Sequence, residues 1–294
     1  MIELGLKGSY ILEIGKENQP KRFISQFDNL ILNAGLNRIA SNAVFRSFCQ
    51  IGTGTTQPSE SDVALTTYVA NTGTMSTGLN TSIAGTNPYV IRSTMTFRFP
   101  VGSLSGEYFE LGVGWVSSGS LFSKTRIKDL AGNDTSIRVM SDEYLDVTYI
   151  LEITPKQTDT VFNVNLRGTN HECRLRPANI NQPGRWVLKP HSFNQANCFA
   201  YDGNAGNITT VPSGTSSSSS SVSIAAYVAN SFERNVTLTW LNDKANFASG
   251  IKSILIDSSE SESFGCYQIA FNPPIFKTNV DSFNMVVKFK WTRS

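Results

Sequence analysis

Charge is what this sequence has least of. Asp, Glu, Lys and Arg together make up 16% of its 294 residues, against roughly 25% in an ordinary soluble domain, and the formal net charge is only +2. A nucleic-acid surface needs Lys and Arg gathered on one face. The composition therefore points to protein or glycan partners and away from nucleic acid. Histidine is nearly absent, with 2 in the chain, which leaves little to act as base in a nucleophilic triad, and no G-x-S-x-G elbow occurs. The phosphate loop G-x-x-x-x-G-K-[ST] is missing, and Gly52-x-Gly54 lacks the helix a dinucleotide site requires. No apolar run approaches the length of a membrane-spanning helix. Met1-Ile2-Glu3 has neither the basic start nor the apolar core of a signal peptide, so the expectation is a soluble chain made in the cytoplasm.

Cysteine is sparse and irregularly placed. Cys49, Cys173, Cys198 and Cys266 contain no C-x-x-C, and free, buried thiols are expected of them. His171-x-Cys173 with His191 and Cys198 offers ligand types that suit zinc, but the spacing matches no compact zinc module. No metal and no cofactor are expected.

What is abundant is Ser, Thr, Asn and Gly, a composition suited to strands, turns and a neutral polar surface. The most informative stretch is the C-terminal run of Asn235–Trp240, Gly250–Asp257, Tyr267–Lys277 and Phe283–Trp291. Val236, Leu238 and Trp240 alternate with polar residues, the pattern of a strand with one face on a core. The first half carries a partial echo of this run. Tyr68–Asn71 and Tyr227–Asn230 both read YVAN, each lies after a Cys and a Gly-bearing turn, and each half closes on a long alternating strand, Tyr144–Ile153 or Phe283–Trp291. The fold expected is all-β, with two tandem, related, antiparallel β-sandwich domains and long polar loops. Residues 1–154 form the first domain, 155–159 the linker and 160–294 the second.

Within that frame, Phe27–Ile39 reads as a strand followed by a helical turn, and Ile51–Ser61 as a loop. Three further stretches read as long loops: the Gly- and Thr-rich Asn71–Asn87, the proline-punctuated Pro177–Pro190, and the low-complexity Pro212–Ser223 with its six serines at Ser216–Ser221. Long loops between strands are commonly functional, and these three are the expected contact segments.

Catalytic signals are weak. Glu107/Glu110, Asp142/Glu143 and Asp257, Glu260 and Glu262 are the carboxylate groupings a glycosidase would need, but each sits at a turn signal and reads as a turn charge. No enzyme is expected. Of the tryptophans, Trp240 and Trp291 fall in register with apolar strand positions and read as core. Trp186, inside the proline-rich segment, is the one residue left as a contact or glycan-stacking candidate.

Three stretches carry a resemblance. FDNLILNAGLNRI (Phe27–Ile39), IGTGTTQPSESDVAL (Ile51–Leu65) and YFELGVGWVSSGSLFSK (Tyr108–Lys124) are similar to an N-L-I-x-N-x-G-L segment, a G-T-G-x-x-x-P loop with D-x-x-L, and an E-L-G…L-F-S-R segment. These recur in virion proteins of tailed bacteriophages, notably tail, collar and baseplate components, and Lys124 stands where Arg is commoner. The resemblance implies a non-catalytic virion subunit, made in the host bacterial cytoplasm. Its partners would be other virion proteins and copies of itself. A receptor- or carbohydrate-binding module facing a host-surface glycan is the alternative.

Overall fold

The computed structural model describes residues 1–41, 44–186, 197–257 and 265–294. The chain is all-β, 55% strand with one α-helix among the described residues, and its sheets are antiparallel. The strands of the first half are β1 (Ile2–Gly15), β2 (Arg22–Ile31), β3 (Phe48–Gly52), β4 (Tyr68–Thr72), β5 (Met75–Thr86), β6 (Tyr89–Phe99), β7 (Gly106–Tyr108), β8 (Glu110–Gly114), β9 (Leu121–Arg126), β10 (Ile137–Val139) and β11 (Tyr144–Pro155). Helix α1 (Asn33–Ile39) follows β2. The second half adds β12 (Thr160–Leu166), β13 (Thr169–Pro177), β14 (Cys198–Tyr201), β15 (Ser216–Ser218), β16 (Ser221–Ile224), β17 (Glu233–Trp240), β18 (Ile251–Asp257), β19 (Cys266–Ile275) and β20 (Phe283–Arg293).

The chain groups into two compact units. The N-terminal unit takes Leu6–Thr81, Arg92–Glu152 and the last two residues; the C-terminal unit takes Met1–Gly5, Ser82–Ile91 and Ile153–Thr292. The sequence suggests a single cut at 155–159. In the structure Pro155 ends β11, and Gln157 donates to the Tyr89 carbonyl at 2.8 Å while accepting the Tyr89 amide.

In the N-terminal unit the hydrogen-bonded strand order is β5-β6-β11-β1-β2-β9-β8-β3-β4. The period-two burial of β1, with Leu6, Tyr10, Leu12 and Ile14 inward, is what a sheet with one wet face requires. Tyr10, Phe27, Phe122 and Tyr149 fill the core as tilted and edge-on aromatic pairs. Helix α1 buries Gly35, Leu36 and Ile39, one face at helical spacing. A Cβ on Gly35 would stand 2.3 Å from the Phe122 carbonyl oxygen of β9, so only glycine lets the helix lie this close to the sheet.

In the C-terminal unit a six-stranded sheet runs β12-β13-β19-β18-β14-β15, and β16-β17-β20 lie in consecutive pairing. Aromatic pairs join the two sets: Tyr267 of β19 meets Phe289 of β20 edge-on, and Phe271 of β19 meets Phe283 of β20 likewise. Trp240 and Trp291 are fully buried, as their strand register indicates.

Two loop expectations are corrected. Asn71–Asn87 is largely strand, because β5 pairs with β6. Met75–Asn80 are exposed on both faces, and in the rest only Thr81, Ile83 and Gly85 are partly buried, so no apolar alternation marks it. Pro212–Ser223 is also partly strand. Of its six serines, Ser216–Ser218 form β15, paired to β14, Ser221 opens β16, paired to β17, and Ser219 and Ser220 link the two. Around them the Ser219 amide bonds the Cys198 carbonyl at 2.7 Å, and the Trp240 indole donates to the Ser217 carbonyl at 3.0 Å. Of Pro177–Pro190, Pro177 closes β13 and Pro183–Trp186 form a 3-10 turn; residues 187–190 lie outside the described residues.

The internal echo sits in the structure as follows. β6 pairs with β11, and β17 pairs with β20, so the strands that follow the two YVAN stretches each pair with the strand that closes their half. The YVAN stretches themselves differ. Tyr68–Asn71 lies in β4, paired to the Cys49 strand β3, whereas Tyr227–Asn230 is loop and turn, with Tyr227 stacked on Trp291.

Candidate functional site

The three stretches that carry the resemblance meet in one place in the N-terminal unit. Glu110, on β8, is wholly buried. Its Oε1 accepts the amides of Gly54 at 3.1 Å and Thr67 at 2.7 Å, and its Oε2 accepts the amide of Thr66 at 3.0 Å. Lys124, on β9 and 2% exposed, places its ammonium 3.6 Å from Oε2. The same ammonium donates to Asp62 Oδ2 at 3.0 Å and to Thr66 Oγ1 at 2.9 Å. A Cβ on Gly54 would stand 2.3 Å from Glu110 Oε1, which explains the second glycine of the G-T-G loop. Beneath this polar clamp, Leu32, Leu65 and Leu121 form an apolar cluster with Leu30 against it. Backbone bonds complete the seam, Asn33 N to Glu60 O and Leu121 N to Val63 O.

The clamp can do one thing chemically. Buried charge is tolerated only when paired and fully hydrogen-bonded, and here the carboxylate spends its lone pairs on three amides and an ammonium. The chain between β3 and β4 is thereby fixed onto β8 and β9. Gln50, also wholly buried, does the same for the β8–β9 turn: its amide donates to the Val116 and Gly119 carbonyls at 2.9 Å each, and its Oε1 accepts the Gly119 amide.

The pinned segment leads directly into the two ends of the sheet. β4 pairs only with β3 and β5 only with β6, so each has an outer edge with no strand partner among the described residues. From Val63 to Ile91 there is no Asp, Glu, Lys or Arg. Edge strands are ordinarily blunted by charge, by proline or by shortness. β5 has none of these over 12 residues.

No family model, curated protein or solved structure matches the chain.

Trp186, the stacking candidate, is 1% exposed. Its indole donates to the Asn179 carbonyl at 3.3 Å and its ring meets Tyr267 edge-on at 5.3 Å, so it offers no free face to a sugar. The 3-10 turn that carries it is tied by an Arg185–Asp257 ion pair. Trp115 is partly buried under the Arg38 guanidinium, 4.9 Å from the ring centre.

The four cysteines are free and buried. Burial pushes the Cys198 thiol up to about 12 and the Cys173 thiol up to about 11, so both are protonated and unreactive at neutral pH. Among the described residues no group of His, Cys, Asp and Glu could hold a metal; His191 lies outside them. Asp142 and Glu143 are turn charges, paired to Lys16 and to the Met140 amide. Glu107 is exposed and bonds Ser136. Glu260 and Glu262 lie outside the described residues. Glu110 departs from the turn-charge expectation because its strand is buried on both faces and Glu110 shares with Gly112 and Gly114 the face opposite Leu111 and Val113; an acid opening a strand with no other polar residue is the signal that could have singled it out.

A second buried acid has a different role. Asp146 on β11 is fully buried and takes two bonds of 2.7 Å from the Arg98 guanidinium, with Lys21 Nζ at 2.5 Å. Burial works against its charge, yet the hydrogen bonds and charges of Arg98 and Lys21 together hold its carboxyl below the ordinary value. A carboxyl depressed by folding contributes stability above the unfolded value of about 3.9 and loses it as pH falls through the folded value. Arg98 and Lys21 are each about one-third exposed, so solvent screening reduces the effect. Asp146→Asn is expected to lower stability at pH 7 by about 1–2 kcal/mol and to flatten its decline below about pH 4. Urea midpoints of both proteins from pH 2 to 7 check this; parallel curves would contradict it.

Proposed function

We propose that the chain is a structural subunit of a tailed-phage virion, a tail, collar or baseplate component. It is made in the host bacterial cytoplasm and assembles with copies of itself and with other virion proteins. One observation carries the reading: the motif stretches similar to those of phage tail proteins converge on a single buried clamp, and the clamp fixes the segment that runs into two uncharged sheet edges. Such edges are a hazard in a free monomer and an interface in an assembly. In this reading the two halves are related β-sandwiches. The β6–β11 and β17–β20 pairings support that relationship, whereas the unlike settings of the two YVAN stretches count against it.

The mechanism is strand addition, in which backbone amides and carbonyls of β5 bond those of a neighbouring copy while alternate side chains set the register. Thr77 and Leu79 lie on the same face of β5 and are exposed. Thr77→Lys with Leu79→Lys places like charges across the joined strands, which is expected to weaken association about tenfold or more. Light scattering reads the result. The wild type is expected as a discrete multiple of 32.2 kDa and the variant as a monomer with an unchanged circular dichroism spectrum. A wild type that stays monomeric at every concentration would sink the proposal, and a variant that assembles normally would remove β5 from it.

A further inference from the structure

A cleft in the C-terminal unit has the chemistry of a binding site. It is open to solvent, measures about 490 Å³, within the roughly 300–1,000 Å³ of small-molecule sites, and lies between the start of β13 and the chain from Pro273 to Phe283. The deciding group is His171. Its side chain is nearly buried, 4% exposed, and its Nδ1 lies 2.7 Å from the Pro273 carbonyl oxygen. A carbonyl can only accept, so Nδ1 carries a proton, and Nε2 is the ring nitrogen left to meet a ligand. No described group bonds Nε2.

The surrounding charges are already spent. Lys277, another lining residue, gives its ammonium to Lys244 O at 2.8 Å and Asn246 Oδ1 at 2.9 Å, and more loosely to Asn242 O and Thr278 O. Asp281 is claimed by the Arg167 guanidinium through two bonds, and that bond to Arg167 is the main reason its carboxyl is held below the ordinary range. Arg167 keeps further N–H donors facing solvent, since its side chain is 71% exposed. Phe276 stands at the cleft, 65% exposed, with Pro274 also in the lining.

A ligand that fits these groups is neutral, carries hydroxyls that bond His171 Nε2 and accept from Arg167, and has a C–H face to lie on the Phe276 ring. We infer that the cleft between β13 and Pro273–Phe283 binds a saccharide ring, with Phe276 as the stacking surface and His171 and Arg167 as the polar contacts. An anionic ligand is disfavoured because Arg167 is paired with Asp281 and the N–H donors of Lys277, whose own charge has no carboxylate within ion-pair distance among the described residues, are held by neutral oxygens. A cationic one is disfavoured because no uncommitted carboxylate faces the cleft. The inference is independent of the assembly reading, which rests on β4 and β5, neither of which lines the cleft.

The test is saturation-transfer NMR of the full chain against a panel of free hexoses, deoxyhexoses and N-acetylhexosamines. Phe276→Ala and Arg167→Met alter exposed side chains and leave the fold intact, which circular dichroism verifies. His171→Gln is the third variant and retains a hydrogen-bonding side chain. At least one panel sugar is expected to bind the wild type. Affinity is expected to fall about tenfold or more in the Phe276 and Arg167 variants, with the oligomeric state unchanged. Binding by no panel sugar, binding unaffected by both exposed-residue variants, or occupation of the cleft by a proline-rich peptide instead of a sugar would each overturn the inference. If assembly fails while sugar binding holds, only the structural-subunit reading falls.

Discussion

Replacing Glu110 by alanine is expected to destabilise the N-terminal unit by about 3–5 kcal/mol, the range for breaking a buried ion pair from one side. Two losses combine. The Lys124 ammonium stays buried with only Asp62 and Thr66 as partners, and the amides of Gly54, Thr66 and Thr67 lose their common acceptor. At about 2–4 °C per kcal/mol for a unit of this size, the melting midpoint falls by about 6–20 °C. The apolar double variant Glu110→Leu, Lys124→Met separates the two losses. If the ion pair were the whole story, a matched apolar pair would be close to neutral. Because the three amides remain orphaned, the double variant is expected to stay about 2–3 kcal/mol below wild type. Differential scanning calorimetry of the single and double variants decides. A Glu110→Ala midpoint within about 2 °C of wild type would mean that the loop does not depend on the clamp.

Trp186→Ala is the second large effect, expected to cost about 3–5 kcal/mol as a large-to-small change at a fully buried aromatic. The indole fills its site closely, since a Cβ on neighbouring Gly265 would stand 2.3 Å from the ring. Its loss would also strip Tyr267 of one of its two edge-on partners, leaving Phe289. A surface stacking residue would behave in the opposite way, with unchanged stability and lost ligand binding. Chemical denaturation followed by tryptophan fluorescence, read on the three remaining indoles, distinguishes them, and a change below about 1 kcal/mol would return Trp186 to the surface.

How much of this was legible in the sequence follows from which faces are buried. β17, β18, β19 and β20 could be read because one face of each is apolar and inward, so the alternation Val236, Leu238, Trp240 is written into the residues. β2 and α1 were readable because Asn33-Ala34-Gly35 interrupts the strand pattern where the helix begins. β5 was not, because its first half is wet on both faces and its second half half-buries only Thr81, Ile83 and Gly85, too few apolar residues for a period, and its Thr, Ser and Gly composition matches that of a loop. The serine tract failed for a related reason: composition describes the tract's own entropy, whereas its order comes from distant partners such as the Cys198 carbonyl and the Trp240 indole. The two YVAN stretches show the same limit, since identical residues pair as strand beside β3 and form a turn near Trp291.

The functional residues divide similarly. The motif spacing singled out Gly54, Asp62, Leu65, Glu110 and Lys124 as a set, but only the fold reveals that they touch and that Glu110 is a buried anchor. Trp186 stood out for its setting among prolines, which mark a loop without saying whether it folds inward. The His171 cleft left no local trace, since its parts come from two segments about a hundred residues apart.

The measurement that bears most directly on the central claim is amide hydrogen exchange across β4 and β5, compared in dilute and assembled protein. The expected result is that amides on the outer edges of Tyr68–Thr72 and Met75–Thr86 exchange freely when dilute. They become protected on assembly, while the amides bonded to β3 and β6 stay slow throughout. Assembly that leaves both edges exchanging freely would contradict the account.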